Sequence, residues 1–218
     1  MILWCYIIVR CNIEMPIYME CGNVPAKRHK KVFFTHIPRT GGRFILYNLK
    51  KNGYLNYGTF TDYDWVWGQE CCHWTRPTYE SLFKEDLKET MPHFGIVRDP
   101  LERYLSMKSY EIYPDDWSFF RVPAAQWYRP MVDYVRDDTQ IWKFEDGFGD
   151  EFQEWMRVLL DDKEFTLYDP PLYLKEGKPY SKHSMLEYKH PDYKKIEKTD
   201  EIEEYVKTKY ADDLTRWY

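Results

Sequence analysis

Glycine is scarce in this chain, ten in 218 residues, and none of them is followed by Lys-Ser or Lys-Thr. That excludes the common P-loop, GxxxxGK[ST], with its phosphate-binding lysine and magnesium-holding hydroxyl. Cysteine is equally sparse. Residues 5, 11, 21, 71 and 72 make an odd set without a CxxC spacing, so neither a zinc site nor a disulfide framework is indicated. Cys71 and Cys72 read as packing residues, and the cysteine usage is that of a reducing compartment. There is no excess of positive charge. A net charge of −5 argues against nucleic acid as a partner, and mildly against a highly anionic polymer. Long apolar runs are missing too. Met1–Val9, MILWCYIIV, falls far short of the ~20 residues that cross a bilayer, and it lacks the basic lead of a signal peptide. The expectation is a soluble, cytoplasmic protein without a membrane span. No repeat, low-complexity tract or Gly/Ser linker divides the chain, so its length fits one domain on a prior of ~150 residues each. We expect an N-terminal extension over 1–30 and a single domain over 31–218.

What is present centres on Val32–Leu46, VFFTHIPRTGGRFIL. An apolar run through Val32, Phe33, Phe34 and Ile37 predicts a buried parallel strand. Pro38 stops it, Gly41 and Gly42 supply a tight turn, and helical spacing follows from Arg43 to the neighbourhood of Gly53. Strand, glycine turn and helix together aim backbone N–H groups and a helix dipole at an anion. Arg39 and Arg43 add positive charge to the same turn, which therefore reads as a phosphate- or sulfate-binding loop.

A second motif follows at His93–Lys108, HFGIVRDPLERYLSMK. Phe94–Val97 is a short apolar strand that delivers Arg98 at its carboxyl end. Asp99 and Pro100 open a helix, with Asp as cap and Pro at the first helical position. Ser106 lies about two helical turns past Arg98. Taken alone, an arginine in an RDP triplet most often pairs with a neighbour such as Asp99 or Glu102, and a serine lies on a helix face. Arg103 is expected to pair with Glu102 or Glu111 on the helix surface.

The two motifs, in this order and each at a strand end, resemble the sulfotransferases that use 3′-phosphoadenosine 5′-phosphosulfate (PAPS). The likeness is to their carbohydrate, Golgi-type branch, which includes the heparan 2-O-sulfotransferases. The resemblance implies a 5′-phosphosulfate loop of Arg39, Thr40, Gly41, Gly42, Arg43 and Phe44, a 3′-phosphate clamp of Arg98 and Ser106, and a basic loop at Lys178–Ser184 from which Lys182 closes over the nucleotide. It implies transfer of a sulfuryl group to an acceptor hydroxyl, with PAPS as co-substrate and no metal. The fold implied is α/β, a P-loop-like three-layer sandwich: a mostly parallel sheet with helices on both faces. Ile141–Leu160 is similar to the family's late strand and acidic helix, and Tyr205–Tyr218 to its closing helix. The chain departs from the family at Arg39, usually Lys, and at Arg43, usually Thr or Ser. Arginine keeps the charge and a planar fork of donors but is a poor proton donor, so its help would be electrostatic.

For the general base the expectation is His73, which lies between the motifs where relatives carry a histidine. Glu70 stands nearby to orient or replace it. A histidine pKa near 6.5 suits proton abstraction at neutral pH. The competing role for His73 is a core hydrogen bond; His36 is expected to be structural, and His183 could touch the nucleotide. The aromatic share is high at 19%, with clusters over 54–67 and 113–142 that could line a carbohydrate cleft or simply build core and surface. Two other functions stay open: a nucleotide-dependent small-molecule kinase, and a non-catalytic carbohydrate-binding protein on the same fold. Oligomeric state is left open.

The coarse reading is strand 32–37, helix 43–52, an irregular aromatic stretch to 76, a helix from Pro77 to about Glu89, strand 93–97 and helix 100–110. A helix over 123–138, strand 141–144, helix 150–161 and a closing helix over 199–217 follow. Alternating strands and helices imply a parallel sheet covered on both faces.

Overall fold

The computed structural model describes residues 30–56, 65–66, 69–70, 73–82, 91–111, 125–169, 173–175, 178–180 and 196–218. Four strands form one sheet: β1 (Lys30–Thr35), β2 (Tyr54–Asn56), β3 (His93–Val97) and β4 (Gln140–Lys143). Their order is β2-β1-β3-β4 and every pairing is parallel, with Phe33 opposite His93 and Ile96 opposite Trp142. The helices are α1 (Gly42–Lys51), α2 (Arg76–Leu82), α3 (Pro100–Glu111), α4 (Asp150–Leu159), α5 (Asp200–Lys209) and α6 (Ala211–Trp217). Two short antiparallel ribbons, Trp65–Val66 with Gln69–Glu70 and Tyr173–Lys175 with Lys178–Tyr180, complete the described elements.

Alternation along the strands sends side chains to opposite faces. Val32, Phe34, Phe94 and Ile96 join Phe44, Ile45 and Leu49 of α1 and Phe152 and Met156 of α4 in one apolar cluster. Each such fully buried side chain contributes roughly 1.5–3 kcal/mol. The other face is mixed. Phe33 meets Tyr79 of α2 and His93, while Ile37 and Val97 pack with Met131, Tyr134, Val135 and Trp217. Both faces are therefore covered.

Local signals explain the helix ends. Lys50 and Lys51 sit in the last turn of α1, where the dipole favours cations, and Gly53 follows with φ 78°. Asp99 Oδ1 accepts the Glu102 N–H at 2.9 Å, the predicted cap of α3. Thr199 Oγ1 accepts the Ile202 N–H and caps α5.

Three expectations need correction. The helix read over 123–138 is two 3-10 turns, Ala125–Tyr128 and Met131–Asp133. Pro130 has no N–H to continue a helix and turns the residue before it away from helical geometry. The closing helix is broken at Tyr210 into α5 and α6, with that residue fully buried at φ −116°, ψ 30°. The stretch read as irregular after Gly53 begins with the edge strand β2. No helix among the described residues is long and apolar enough to cross a membrane.

Candidate active site

The carboxyl ends of β1 and β3 lie side by side, and each releases one motif. After β1 the chain turns through Pro38, Arg39, Thr40 and Gly41 into α1. Arg39 has φ 66° and Gly41 φ 98°, both in the left-handed region that L side chains rarely adopt. For Gly41 this costs little. For Arg39 it is strain of about 1 kcal/mol or more, the kind that persists where surrounding structure fixes it. Gly42 is required for a different reason: a Cβ there would fall 1.9 Å from Cδ2 and Nε2 of His36. The N-terminus of α1, where the helix dipole favours negative charge, opens at this turn, and the Phe44 N–H donates back to the Gly41 carbonyl at 3.0 Å.

The two motifs are joined directly. The Arg39 Nε–H donates to Ser106 Oγ at 3.0 Å, and an Arg98 Nη1–H donates to the Arg39 carbonyl at 3.3 Å. The Arg98 guanidinium lies over the Phe144 ring at 4.5 Å. Its contact with Glu102 is 3.9 Å to a carboxylate side chain 60% exposed, so that ion pair contributes little. Charge, hydroxyl and helix N-terminus are thus brought to one place from residues 67 positions apart in sequence. Such an arrangement can hold a doubly anionic group.

A model of the sulfotransferase family matches residues 24–211, spanning both motifs and every strand of the sheet. The chain belongs to the sulfotransferase family. Among curated proteins and among solved structures, none matches the chain at a significant level.

Within this sulfotransferase the expected site residues fall into distinct groups. Arg39, Arg98 and Ser106 are linked as described, with Ser106 buried. Arg43 is exposed on the first turn of α1. Thr40 is fully buried, and its hydroxyl donates to the Ile37 carbonyl at 2.9 Å, bracing the turn from inside. The Phe44 ring stacks with Phe148 at 5.1 Å in the core. Thr40 and Phe44 therefore meet the turn through their backbones. His73 is buried, 4.4 Å from His36 between ring centroids and 5.5 Å, edge to face, from Trp127. Through His36 it reaches the back of Gly42. Lys182, His183, Cys71 and Cys72 lie outside the described residues, and Glu70 ends one ribbon strand.

Sequence reasoning missed two residues. Arg103 is not on the helix surface but fully buried. Its Nε donates to the Pro38 carbonyl at 3.0 Å, Nη2 to Trp127 at 2.8 Å and Nη1 to Arg129 at 3.0 Å. Asp213, also fully buried, accepts the N–H groups of Met131 and Val132 at 2.8 and 2.9 Å. Burial pushes its carboxyl up, against the opposing pull of those two N–H bonds and the Arg103 charge. His36, expected to be structural, fills the space behind Gly42 and so forbids a side chain at position 42.

Proposed function

We propose that the protein transfers a sulfuryl group from PAPS to an acceptor hydroxyl, most simply that of a carbohydrate. The observation that carries this reading is the direct Arg39–Ser106 and Arg98–Arg39 bonding between the ends of two adjacent parallel strands. Anions in such sheets bind off the strand carboxyl ends, and the all-parallel order β2-β1-β3-β4 with both faces covered supports the P-loop-like three-layer architecture.

In this mechanism Arg39, Arg43 and the first amides of α1 hold the phosphosulfate and neutralise charge as it develops on the leaving phosphate oxygen. Arg98 and Ser106 hold the 3′-phosphate and fix the nucleotide's register. His73 takes the acceptor proton. A bond forms from the acceptor oxygen to sulfur while the bond from sulfur to the 5′-phosphate oxygen breaks, leaving adenosine 3′,5′-bisphosphate. The sulfuryl group carries less charge than a γ-phosphoryl, so arginines and amides suffice without magnesium.

The test is thermal stabilisation by adenosine 3′,5′-bisphosphate, ATP and AMP, with and without Mg²⁺. The expected result is metal-independent stabilisation by the bisphosphate that is lost in Arg98→Ala. Preference for ATP with Mg²⁺ would make the protein a kinase. His73→Ala should then retain bisphosphate binding and lose about 10²–10⁴ in turnover with PAPS and a disaccharide panel. Unchanged turnover would remove His73 as the base.

A further inference from the structure

A fully buried arginine is expensive. Taking a guanidinium out of water costs several kcal/mol, and an apolar side chain of similar volume often serves stability as well or better. Arg103 is nonetheless 0% exposed, and the carbonyls it binds belong to two separate segments. One is Pro38, the residue before Arg39, in the anion loop. The others are Trp127 and Arg129, in the segment of 3-10 turns that follows α3 in the chain. The Trp127 and His73 rings in turn meet edge to face, and His73 lies against His36 behind Gly42. The segment is gripped again from outside, by Asp213 on the amides of Met131 and Val132 and by the Tyr210 hydroxyl on the Tyr128 carbonyl at 3.1 Å.

We propose that Arg103 is a positioning residue for sulfuryl transfer: its planar fork sets the distance between the phosphosulfate loop and His73. The inference rests on the function proposed above. The fork matters because a lysine ammonium is a point donor on a flexible stem and cannot span carbonyls of two segments in a fixed geometry. Misplacement of a reacting group by about 1 Å can cost about a hundredfold in rate, so a rigid link between loop and base has a direct kinetic use. Arg103 touches no reacting atom; it acts through Pro38 and Trp127.

The test uses the full chain in two variants, Arg103→Lys and Trp127→Phe, with two readouts that need no acceptor. One is the Kd of adenosine 3′,5′-bisphosphate, which reports the loop. The other is the NMR chemical shift of the His73 Cε1–H in the ligand-free protein, which reports the base. Arg103→Lys is expected to raise Kd about tenfold, about one hydrogen bond's worth, and to move the His73 resonance. Trp127→Phe keeps the carbonyl bond, so it should move His73 while Kd stays within about twofold of wild type. An Arg103→Lys protein that melts earlier but keeps both wild-type Kd and the His73 resonance overturns the proposal and leaves Arg103 a purely structural group. If Arg103→Lys does not fold, Arg103→Gln, which keeps a planar donor of shorter reach, is read by the same two outcomes: a raised Kd with a moved His73 resonance supports the link, and wild-type values of both overturn it. A wild-type protein that does not bind the bisphosphate refutes the sulfuryl-transfer reading itself and this role with it.

Discussion

The two faces of the sheet are held by different physics. On the α1/α4 side most contacts are aromatic and apolar: Phe148, Phe152, Trp142 and Trp155 pack ring to ring at 5.0–5.7 Å around Phe94 and Ile96, with polar bonds from Asn48 and Tyr54 towards the rim. On the other side buried polar groups do the joining. Thr35 meets His93 at 2.8 Å, Arg103 holds three carbonyls, and Asp213 holds two amides. Dispersion and hydrophobic burial are non-directional, so the first face can tolerate small shifts. Hydrogen bonds in a low-dielectric interior are directional and costly to leave unmade, so the second face fixes positions. Trp127 and the glycine turn at Pro38 are joined by that polar network, and His73 meets it through the Trp127 ring. The division implies that damage to the first face costs stability, while damage to the second costs function out of proportion to stability.

The largest expected effect tests the apolar side. Phe152 is 1% exposed in the centre of the ring cluster, and Phe152→Ala should cost about 3–5 kcal/mol by transfer and cavity terms. Denaturant unfolding measures the loss. Bisphosphate affinity of the folded fraction should stay within about twofold of wild type, well under 1.4 kcal/mol; a tenfold loss would break the comparison.

Next in size is a pH effect on the polar side. Burial is the main cause that lowers the His93 pKa from 6.5 to about 4, with the Arg136 charge helping and that of Asp138 opposing. Between pH 6.5 and 4 the unfolded chain binds the proton that the folded chain refuses. Its stabilising contribution is therefore fully present above about pH 6.5 and is lost as pH falls towards 4, by at most about 3 kcal/mol. Thermal melts of wild type and His93→Gln over this window should converge in slope on the alkaline side and diverge below it. Parallel curves throughout would mean that His93 protonates in the folded state.

The same contrast governs what could be read from the chain. The anion loop, α1, the Asp99 cap and α4 were legible because glycine geometry, helix periodicity and capping are local signals within one element. The helix that carries Ser106 was legible for the same reason, since Pro100 marks its start. Arg103 was misread because a charged residue beside Glu102 looks like a surface ion pair. Its carbonyl partners at Pro38, Trp127 and Arg129 come from tertiary placement that no local pattern records. Asp213 stood unnoticed in a helix rich in acidic residues for the same reason. The break at Tyr210 was hidden too, because Val206, Tyr210 and Asp213 fit one uninterrupted helical face.

A smaller perturbation separates position from stability on the polar side. Asp213→Asn keeps the shape and one acceptor but removes the charge and the second acceptor from the Met131 and Val132 amides. The stability cost should be about 1–2 kcal/mol, less than that of Phe152→Ala. Turnover and the His73 resonance should nevertheless change, because Asp213 grips the segment that carries Trp127. If Asp213→Asn shifts the melting temperature alone, the polar face is no more functional than the apolar one.

The smallest effect is the control. Thr199 caps α5 through a 3.3 Å bond from the Ile202 N–H at an exposed position, and Thr199→Ala should cost about 1 kcal/mol. It loosens the start of α5, a helix that packs on α3, without touching Arg103, Asp213 or the sheet. Because Tyr210 and Asp213 sit beyond the far end of α5, fraying at its first turn should not reach them. The expected outcome is a melting temperature lowered by a few degrees, at about 1 kcal/mol for a chain of this size, with bisphosphate Kd and turnover unchanged. A loss of turnover in Thr199→Ala would show that α5 transmits strain along its whole length to Asp213. The functional unit would then be the entire C-terminal helix pair rather than the buried groups at its break.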